Sequence, residues 1–149
     1  MKSLFDQSNT SEMIRRIEKL SPEAHRQWGK MEVAQMVAHC ANAIEMAMGI
    51  INPPRVFIGR LIGGFFKSKY TEDKPFTQDN PTSETIKVTD VRNFNVEKER
   101  LIQRVNEFAS GGEVKCTRHP HPFFGNLTPA EWGIGMHKHL DHHLRQFGG

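Results

Sequence analysis

The sequence predicts an all-α bundle formed by a single domain, residues 1–149. Three observations carry this prediction: the chain length, apolar residues that recur at helical spacing between charged ones, and the lack of a convincing pair of strands. A length of 149 residues suits one ordinary domain core. Apolar residues make up 37% of the chain, and 12 glycines raise the apolar-plus-glycine share to roughly 45%, a normal globular value. We therefore expect a folded domain rather than a disordered chain.

The first two helical segments are separated by a proline turn. Residues 10–20 carry apolar side chains at helical spacing, and Ser21-Pro22-Glu23 restarts the chain in a short turn or helix that reaches Trp28-Gly29. A second helix is predicted over 31–48, because Gly49 is a natural residue to end it. Its apolar stripe consists of Val33, Met36, Val37, Cys40, Ile44, Ala47 and Met48.

The middle of the chain alternates between apolar and polar segments. A third apolar segment, 55–67, follows two consecutive prolines, and its three glycines predict close packing or an imperfect helix. Residues 70–92 are polar and contain two prolines, so we expect mostly loop there. Residues 95–109 return to helical spacing, and Gly111-Gly112 ends this fourth segment.

The last helix is the element with the clearest boundaries. Before it, residues 113–127 are predicted to be extended and contain His119-Pro120-His121-Pro122. A residue that precedes proline is held in extended geometry, so neither histidine of this segment sits inside a helix. Thr128-Pro129-Ala130-Glu131 is a capping box with proline at the first helical position, and Gly148 closes the far end.

The distribution of charged and apolar residues indicates which classes of partner the protein lacks. Lys and Arg number 20 against 17 Asp and Glu, which gives a net charge of +3 with the two signs interspersed. The basic clusters, Arg15-Arg16 and Lys67-Ser68-Lys69, are too small to form the basic stripe typical of nucleic-acid binding, so we expect no nucleic-acid partner. The longest apolar stretch, 56–66, is interrupted by Arg60 and is too short to cross a bilayer. We therefore expect no membrane partner.

The cysteines and the start of the chain predict a cytoplasmic location. Cys40 and Cys116 lie far apart in sequence and form no CxxC pair, which favours free thiols in a reducing compartment. Met1-Lys2-Ser3-Leu4-Phe5-Asp6 turns polar before an apolar region can form. We therefore expect no signal peptide.

Histidine is the residue whose distribution indicates chemistry. Eight histidines are present, and six of them fall in the last 31 residues. In the last helix, one face carries Trp132, Met136, His139, His143 and Phe147, which follow one another at steps of three or four residues. The two histidines of this face are one turn apart, so their imidazoles converge, as a metal ion requires of two ligands from one helix.

A metal site with catalytic activity needs a third ligand from another helix. His39 is the histidine inside the second predicted helix, at the border of its apolar stripe. Three neutral imidazoles with an open position are typical of hydrolytic or Lewis-acid centres, and zinc, nickel and iron(II) all accept such ligands. A buried, hydrogen-bonded histidine pair is the alternative, because a lone HxxxH lacks the glutamate of the HExxH motif. Spacing alone leaves both interpretations open.

Three other side chains are candidates for roles at this predicted metal site, and each has a simpler alternative. Gln146 would orient a ligand or a water, unless it is an exposed polar residue. Glu32, two turns before the predicted third ligand, would act as a general base, unless it only favours the helix N-terminus by its charge. His121 would reach the open metal position, unless it stacks or caps. His137 and His142 face away from the predicted metal-binding face, so we expect them at the surface.

Three sequence segments carry a resemblance to a known family. Trp28 followed by Val33-Ala34-Gln35-Met36-Val37-Ala38-His39, and a last helix with His139-x-x-x-His143-Leu144-Arg145-Gln146, resemble the DinB/YfiT-like superfamily of metal-dependent enzymes. More narrowly, HPFFGNLTPAEWG over 121–133 and KHLDHHLRQFG over 138–148 look like the signature of one of its subfamilies. The resemblance covers most of the chain and is strongest over 121–148.

The resemblance implies a fold, a site and a class of chemistry. The fold would be a four-helix bundle with additional short helices and loops, in which His39, His139 and His143 hold a divalent metal, zinc, nickel or iron. The reactions would be metal-assisted hydrolysis, or transfer and isomerisation that use a low-molecular-weight thiol, on a small-molecule substrate. A non-catalytic metal-binding or stress-associated protein and a purely structural bundle are the alternatives. Together with the apolar stretch 56–66, the resemblance also implies a homodimer.

Overall fold

The computed structural model of the protein describes residues 1–78 and 84–149, and this part of the chain contains helices and no strand. The helices are α1 (Gln7–Lys19), α2 (Val33–Ala47), α3 (Phe57–Thr71), α4 (Phe94–Gly111) and α5 (Pro129–Gln146), and a 3₁₀ turn follows α4 at Glu113–Lys115. The predicted all-α class is confirmed. Within the described residues, no helix combines the length and the apolar character needed to cross a membrane.

The first helix begins earlier than predicted because an aspartate caps it. Asp6 Oδ1 accepts hydrogen bonds from the backbone N–H groups of Ser8 (3.0 Å) and Asn9 (3.1 Å), so α1 starts at Gln7. The segment that follows α1, at 21–23, forms a turn and not a helix. Of the two outcomes that the sequence left open there, the turn is the one observed.

The predicted start of the last helix is confirmed. Thr128 Oγ1 accepts from the Glu131 N–H (3.2 Å), and Glu131 Oε2 accepts from the Thr128 N–H (2.7 Å), which completes the capping box. In the middle of the chain α3 runs on to Thr71, beyond its predicted end at residue 67. The loop predicted over 70–92 has no further helix or strand where it is described, and its residues 79–83 lie outside the described residues.

Four of the helices enclose the core, and α2 is the most deeply buried of them. α2 packs against α4 and α5, and α1 packs against the same two helices, so that the four contacts form a closed cycle. α3 lies outside this cycle and packs against α5. The largest fully buried side chains are Trp132, Phe108, Leu4, Met13, Ile17, Met36, Ile44, Leu101, Leu140 and Leu144.

A buried ionic network joins α2 to α4. The Glu45 carboxylate accepts from Arg100 Nη1 (3.1 and 3.2 Å) and from Arg104 Nε (2.9 Å). Arg100 Nη2 also donates to the Ala38 carbonyl (3.2 Å). Because Ala38 is the residue before His39, this network restrains the turn of α2 that carries one predicted ligand.

Close packing of α3 requires glycine at its inner face. A Cβ at Gly63 would overlap the carbonyl oxygen of Phe123, and a Cβ at Gly59 would lie 2.6 Å from the same oxygen. Backbone atoms cannot yield as a side chain can, so the helix reaches this distance only without side chains there. The glycines predicted to give close packing therefore hold α3 against the segment that leads into α5.

Alanine at Gly63 is expected to lower the free energy of unfolding by about 2 kcal/mol or more, because α3 must move away from the Phe123 backbone. Gly64 is the matched control, because a Cβ there meets no atom within 4 Å. Gly64→Ala is expected to raise stability by about 0.5–1 kcal/mol through reduced freedom of the unfolded chain. Urea denaturation of both variants measures the difference, and equal effects would show that the close approach is not restrictive.

Candidate metal centre

Three imidazoles from two helices converge inside the protein. His39 comes from α2, and His139 and His143 come from successive turns of α5. Their ring centroids form a nearly equilateral triangle, with sides of 4.8 Å (His39–His139), 4.7 Å (His39–His143) and 4.6 Å (His139–His143). Each ring offers a nitrogen within 4.8 Å of the other two. The structure thus brings together the three residues predicted as ligands.

The shortest distance within the triangle fits a shared cation. His39 Nε2 and His139 Nε2 lie 2.9 Å apart. Two nitrogens that each bind one ion at about 2.0–2.1 Å are separated by about 2.9–3.4 Å, depending on the angle at the ion. The observed distance lies at the lower end of that range. The donor set, three imidazole nitrogens, is one that zinc and its neighbouring transition metals accept.

The orientation of the His39 ring is set from outside the cluster. His39 is buried, and its Nδ1 lies 2.9 Å from the carbonyl oxygen of Ile86. A carbonyl can only accept, so Nδ1 carries the proton and Nε2 keeps its lone pair toward the other two rings. The sequence placed this residue at the rim of the bundle, but it lies in the interior. The segment that contains Ile86 covers His39 on the side of α2 that a helical wheel predicts to face solvent.

Gln146 performs the same task for His143. Gln146 Nε2 donates to the Trp28 carbonyl (2.8 Å), which leaves Oε1 to accept from His143 Nδ1 (2.9 Å). His143 therefore also presents an unprotonated Nε2 to the cluster. Gln146 is buried and not an exposed polar residue, so the structure places it where the predicted orienting role requires.

The loop at 27–29 holds Gln146 in position. The Gln27 N–H donates to the Gln146 backbone carbonyl (2.8 Å), while the next residue, Trp28, accepts from the side chain. Gly29 adopts a φ of +78°, and a Cβ there would overlap Gln146 Nε2. A glycine is therefore required at this position both for the backbone conformation and for the space that the amide occupies.

His139 is the imidazole with the least external support. It is half-buried, and its Nδ1 has no hydrogen-bond partner among the described residues. Without a partner on the outer nitrogen, neither tautomer of the ring is enforced. His139 can donate from Nε2 to His39, or it can present a lone pair at Nε2 to a cation with the proton on Nδ1. The other two rings are fixed, and this one adjusts.

Burial keeps the three imidazoles neutral. Desolvation lowers the pKa of His39, and it lowers the pKa values of His139 and His143 well below the usual range. The positive charge that each ring would carry further lowers the pKa values of its neighbours in the cluster. Neutral imidazole is the form that binds metal, so the site needs no proton release at neutral pH.

Glu32 is not brought to this cluster. It lies at the exposed start of α2, where its Oε1 forms an ion pair with Arg26 Nη1 (2.6 Å) and its backbone N–H donates to Gln35 Oε1 (3.0 Å). Seven residues of helix separate it from His39, which corresponds to about 10 Å along the axis. These contacts fit the helix-terminal alternative, and the general-base role of Glu32 stays a prediction that no contact with the cluster supports among the described residues.

His121 is buried in the segment before α5, among aromatic rings. Its Nδ1 accepts from the N–H groups of Phe123 (3.1 Å) and Phe124 (3.2 Å), and its ring lies 5.5 Å from that of Trp132. Burial, with the nearby charge of Arg55, lowers the pKa of His121 to about 3. These contacts match the stacking and capping alternative, and a direct catalytic role for His121 stays a prediction.

Two further histidines of α5 were expected at the surface, and both are buried. His142 lies 5.0 Å from His143 and 5.7 Å from Trp28 between ring centroids. His137 and His142 are 5% and 8% exposed. A helical wheel assumes that one face of a helix is covered. α5 packs against α1, α2 and α3 at once, so it is covered on nearly all sides.

Residues of the loop 70–92 and of the segment 119–127 pack against the two helices that carry the cluster. From the loop 70–92, the Ile86 carbonyl contacts His39 and the Phe76 ring lies 6.1 Å from that of His142. From the segment 119–127, Phe124 packs against Tyr70 at 4.6 Å between ring centroids. Of these contacts, the Ile86 carbonyl is the one made with an imidazole of the cluster, and the aromatic rings pack on neighbouring residues of α3 and α5.

Comparison with known proteins identifies a family but no activity. A family model described as a protein of unknown function (DUF1569) matches residues 2–148. No curated protein and no solved structure matches the chain. The chemistry of this site has to be inferred from its own geometry.

Proposed function

Because the chain belongs to the DUF1569 family, whose description names no activity, we propose its function from the site: a metal-dependent enzyme that holds a divalent cation between His39, His139 and His143. The convergence of the three rings, with two Nε2 atoms 2.9 Å apart, is the observation that carries the proposal. A hydrogen-bonded pair alone would not require a third imidazole at equal distance.

The residues around the triangle favour a metal centre over a merely buried cluster. Ile86 and Gln146 each bind the outer nitrogen of a ring, and this leaves the inner nitrogen of that ring unprotonated. Such outer partners fix the orientation of ligands and raise their basicity. A cluster with a purely structural role would gain more from protons shared between its rings than from lone pairs that face one another.

The donor set decides which chemistry the centre can support. A divalent ion bound by three neutral imidazoles keeps its full charge and lowers the pKa of a bound water or thiol, so that a nucleophile forms at neutral pH. Zinc, nickel and iron(II) all accept this set. The reaction is metal-assisted hydrolysis, or thiol-dependent transfer or isomerisation, of a small molecule in the cytoplasm, with no nucleic acid or membrane involved.

The arrangement of the helices supports the resemblance to the DinB/YfiT-like superfamily. That resemblance implies a four-helix bundle with one ligand on its second helix and an HxxxH pair on its last. Here α1, α2, α4 and α5 pack in a closed cycle, and the two ligand-bearing helices, α2 and α5, are neighbours in it. The thiol-dependent branch of the proposal rests on this resemblance alone.

A non-catalytic metal-binding protein is the second candidate function. The observation that favours it is burial: His39 and His143 are 1% and 6% exposed. A centre with so little exposure holds an ion well but offers a substrate a narrow approach. In that case a further ligand would close the coordination sphere, and the bound ion would exchange no water.

Loading the apoprotein with zinc, nickel or cobalt tests the proposal, with stoichiometry measured by elemental analysis after gel filtration. We expect one ion per chain. The visible spectrum of the cobalt-loaded protein should change on addition of a small thiol, because the thiol replaces a bound water. A spectrum that thiols leave unchanged would favour the non-catalytic candidate, and no retained metal would contradict both candidates.

The role of Gln146 gives a separate prediction. Gln146→Leu keeps the size of the side chain but removes the acceptor for His143 Nδ1, so the ring is free to turn or change tautomer. We expect metal affinity to fall about 10- to 100-fold, as measured by competition with a chelating dye. Gln103→Leu, an exposed site on α4, is the control and should leave the affinity unchanged. Equal affinities in the two variants would remove the orienting role.

A further inference from the structure

The outward face of α3 is apolar and uncovered. Its inner residues Gly59, Gly63 and Tyr70 are buried against the rest of the chain. On the other side, large apolar side chains are between 38% and 88% exposed. These residues, called the α3 face below, are Phe57, Ile58, Leu61, Ile62, Phe65 and Phe66.

The size of the α3 face exceeds what a monomer normally exposes. With about 200 Å² for each side chain of this size, the exposed fractions correspond to about 700 Å² of apolar surface. The largest apolar patch on a typical monomer covers about 300–600 Å², and a standard protein interface buries about 800 Å² on each partner. The area of about 700 Å² is slightly below this average but lies within the range of about 600–1,000 Å² per partner that standard interfaces bury.

The positions of the basic residues argue against a lipid surface as the occupant. At 100° per residue, Arg60 and Lys67 project about 150° and 170° away from the centre of the α3 face. Lys67 is also paired with Glu131 (2.9 Å). A helix that lies on an anionic membrane carries its cations beside the apolar arc, where they meet the headgroups. Lys69 is the cation of α3 that lies within the arc, about 30° from its centre and in the last turn of the helix, where it lies over the Phe66 ring.

We propose that the α3 face binds the α3 face of a second copy of this chain in an antiparallel arrangement. The residue positions of the face are symmetric about the midpoint between Leu61 and Ile62. A two-fold axis there brings Ile58 opposite Phe65 of the second copy, because both lie about 10° from the centre of the α3 face. An isologous interface requires this kind of self-complementarity. The antiparallel direction also places the two Lys69 residues about 22 Å apart along the axis, beyond the screening length at physiological salt.

The proposed dimer does not depend on the metal centre, so an experiment can contradict either proposal without affecting the other. The inner side of α3 packs against α5 and the segment that leads into it. The second copy would cover the opposite, outer side of α3. No residue of the second copy is needed to complete the cluster.

Sedimentation equilibrium of the full chain tests whether the dimer exists. We expect a mass twice the 17.1 kDa of one chain, and a dissociation constant that rises at least about 100-fold in Leu61→Glu and in Phe65→Glu. Val91→Glu and Val114→Glu are matched controls, because both valines are almost fully exposed and lie outside the α3 face. A monomeric wild type, or a dimer that survives both α3 variants, would overturn the proposal. A monomer that binds anionic phosphatidylserine vesicles would assign the face to a membrane instead.

Disulfide crosslinking in a Cys116→Ser background tests the register. Ile62→Cys lies next to the proposed two-fold axis and should crosslink rapidly to its own copy. Ile58→Cys should not, because the two positions would be about 10 Å apart along the axis, whereas bonded cysteines have Cα atoms within about 7 Å. Mixing Ile58→Cys with Phe65→Cys should give a crosslink between the two different variants. Rapid self-crosslinking of Ile58→Cys would indicate a parallel pairing and contradict the proposed one.

Discussion

Alanine in place of His139 or His143 is expected to remove stoichiometric metal binding while the helical fold persists. Each variant deletes one of three ligands, and a structural zinc site with four ligands is worth about 10–16 kcal/mol, or about 2.5–4 kcal/mol per ligand. The affinity should therefore fall about 100- to 1,000-fold. The fold should survive because α5 keeps its apolar contacts through Trp132, Leu140 and Leu144 and because alanine favours a helix.

The control for this experiment lies on the same helix. His137 is buried and two residues from His139, but it is outside the triangle of ligands. His137→Ala should lose some stability and keep its metal, as measured by calorimetric titration with zinc and by circular dichroism. Full stoichiometry with unchanged affinity in either His139→Ala or His143→Ala would show that the three imidazoles do not form a metal site.

Acidification of the metal-free protein is expected to unfold it within a narrow pH range below 6.5. Five histidines have pKa values below the usual value of 6.5 in the folded chain, chiefly because burial disfavours their charged forms. The unfolded chain takes up protons near pH 6.5, whereas the folded chain does not, so stability is complete above that value and is lost as the pH falls through it. The histidines concerned are His39, His121, His137, His139 and His143.

The size of this loss of stability follows from the number of protons that the unfolded chain takes up. Each buried neutral histidine contributes a slope of up to about 1.4 kcal/mol per pH unit, so five of them can exhaust the stability of a small domain within about two units. Urea denaturation between pH 8 and pH 5 measures the slope. His121→Gln should lower the slope by the contribution of about one proton. Carboxylates titrate below this window, so a flat profile down to pH 5 would contradict the buried neutral state.

Bound metal should protect the protein against the same acidification. A cation that binds only the folded state adds stability by mass action, and it competes with protons for the ligand nitrogens. The zinc-loaded protein should therefore unfold at a lower pH than the apoprotein. This shift should disappear in His143→Ala, which links the pH dependence to the same three side chains.

Local patterns in the sequence were sufficient for the helices and for part of the site. The capping box at Thr128 and Glu131, the stripe of α2 and the HxxxH spacing of α5 depend on residues within a few turns of one another, where the geometry of a helix determines which side chains meet. For the same reason, the pair His139 and His143 could be recognised as potential ligands without a fold. His39 could be proposed as the third ligand because a histidine inside a second helix is rare in this chain.

Tertiary packing decided what surrounds those side chains. The sequence has no local signal for the Ile86 carbonyl on His39 or for the Trp28 carbonyl on Gln146, since these contacts join residues separated by 47 and 118 positions. It also placed His142 at the surface and Glu32 at the site, because a wheel describes one helix and not the three neighbours that cover it. Periodicity is a property of one segment. The burial of a side chain and the tautomer of an imidazole depend instead on the neighbours that folding brings to it, and the packing of the whole core determines which neighbours these are.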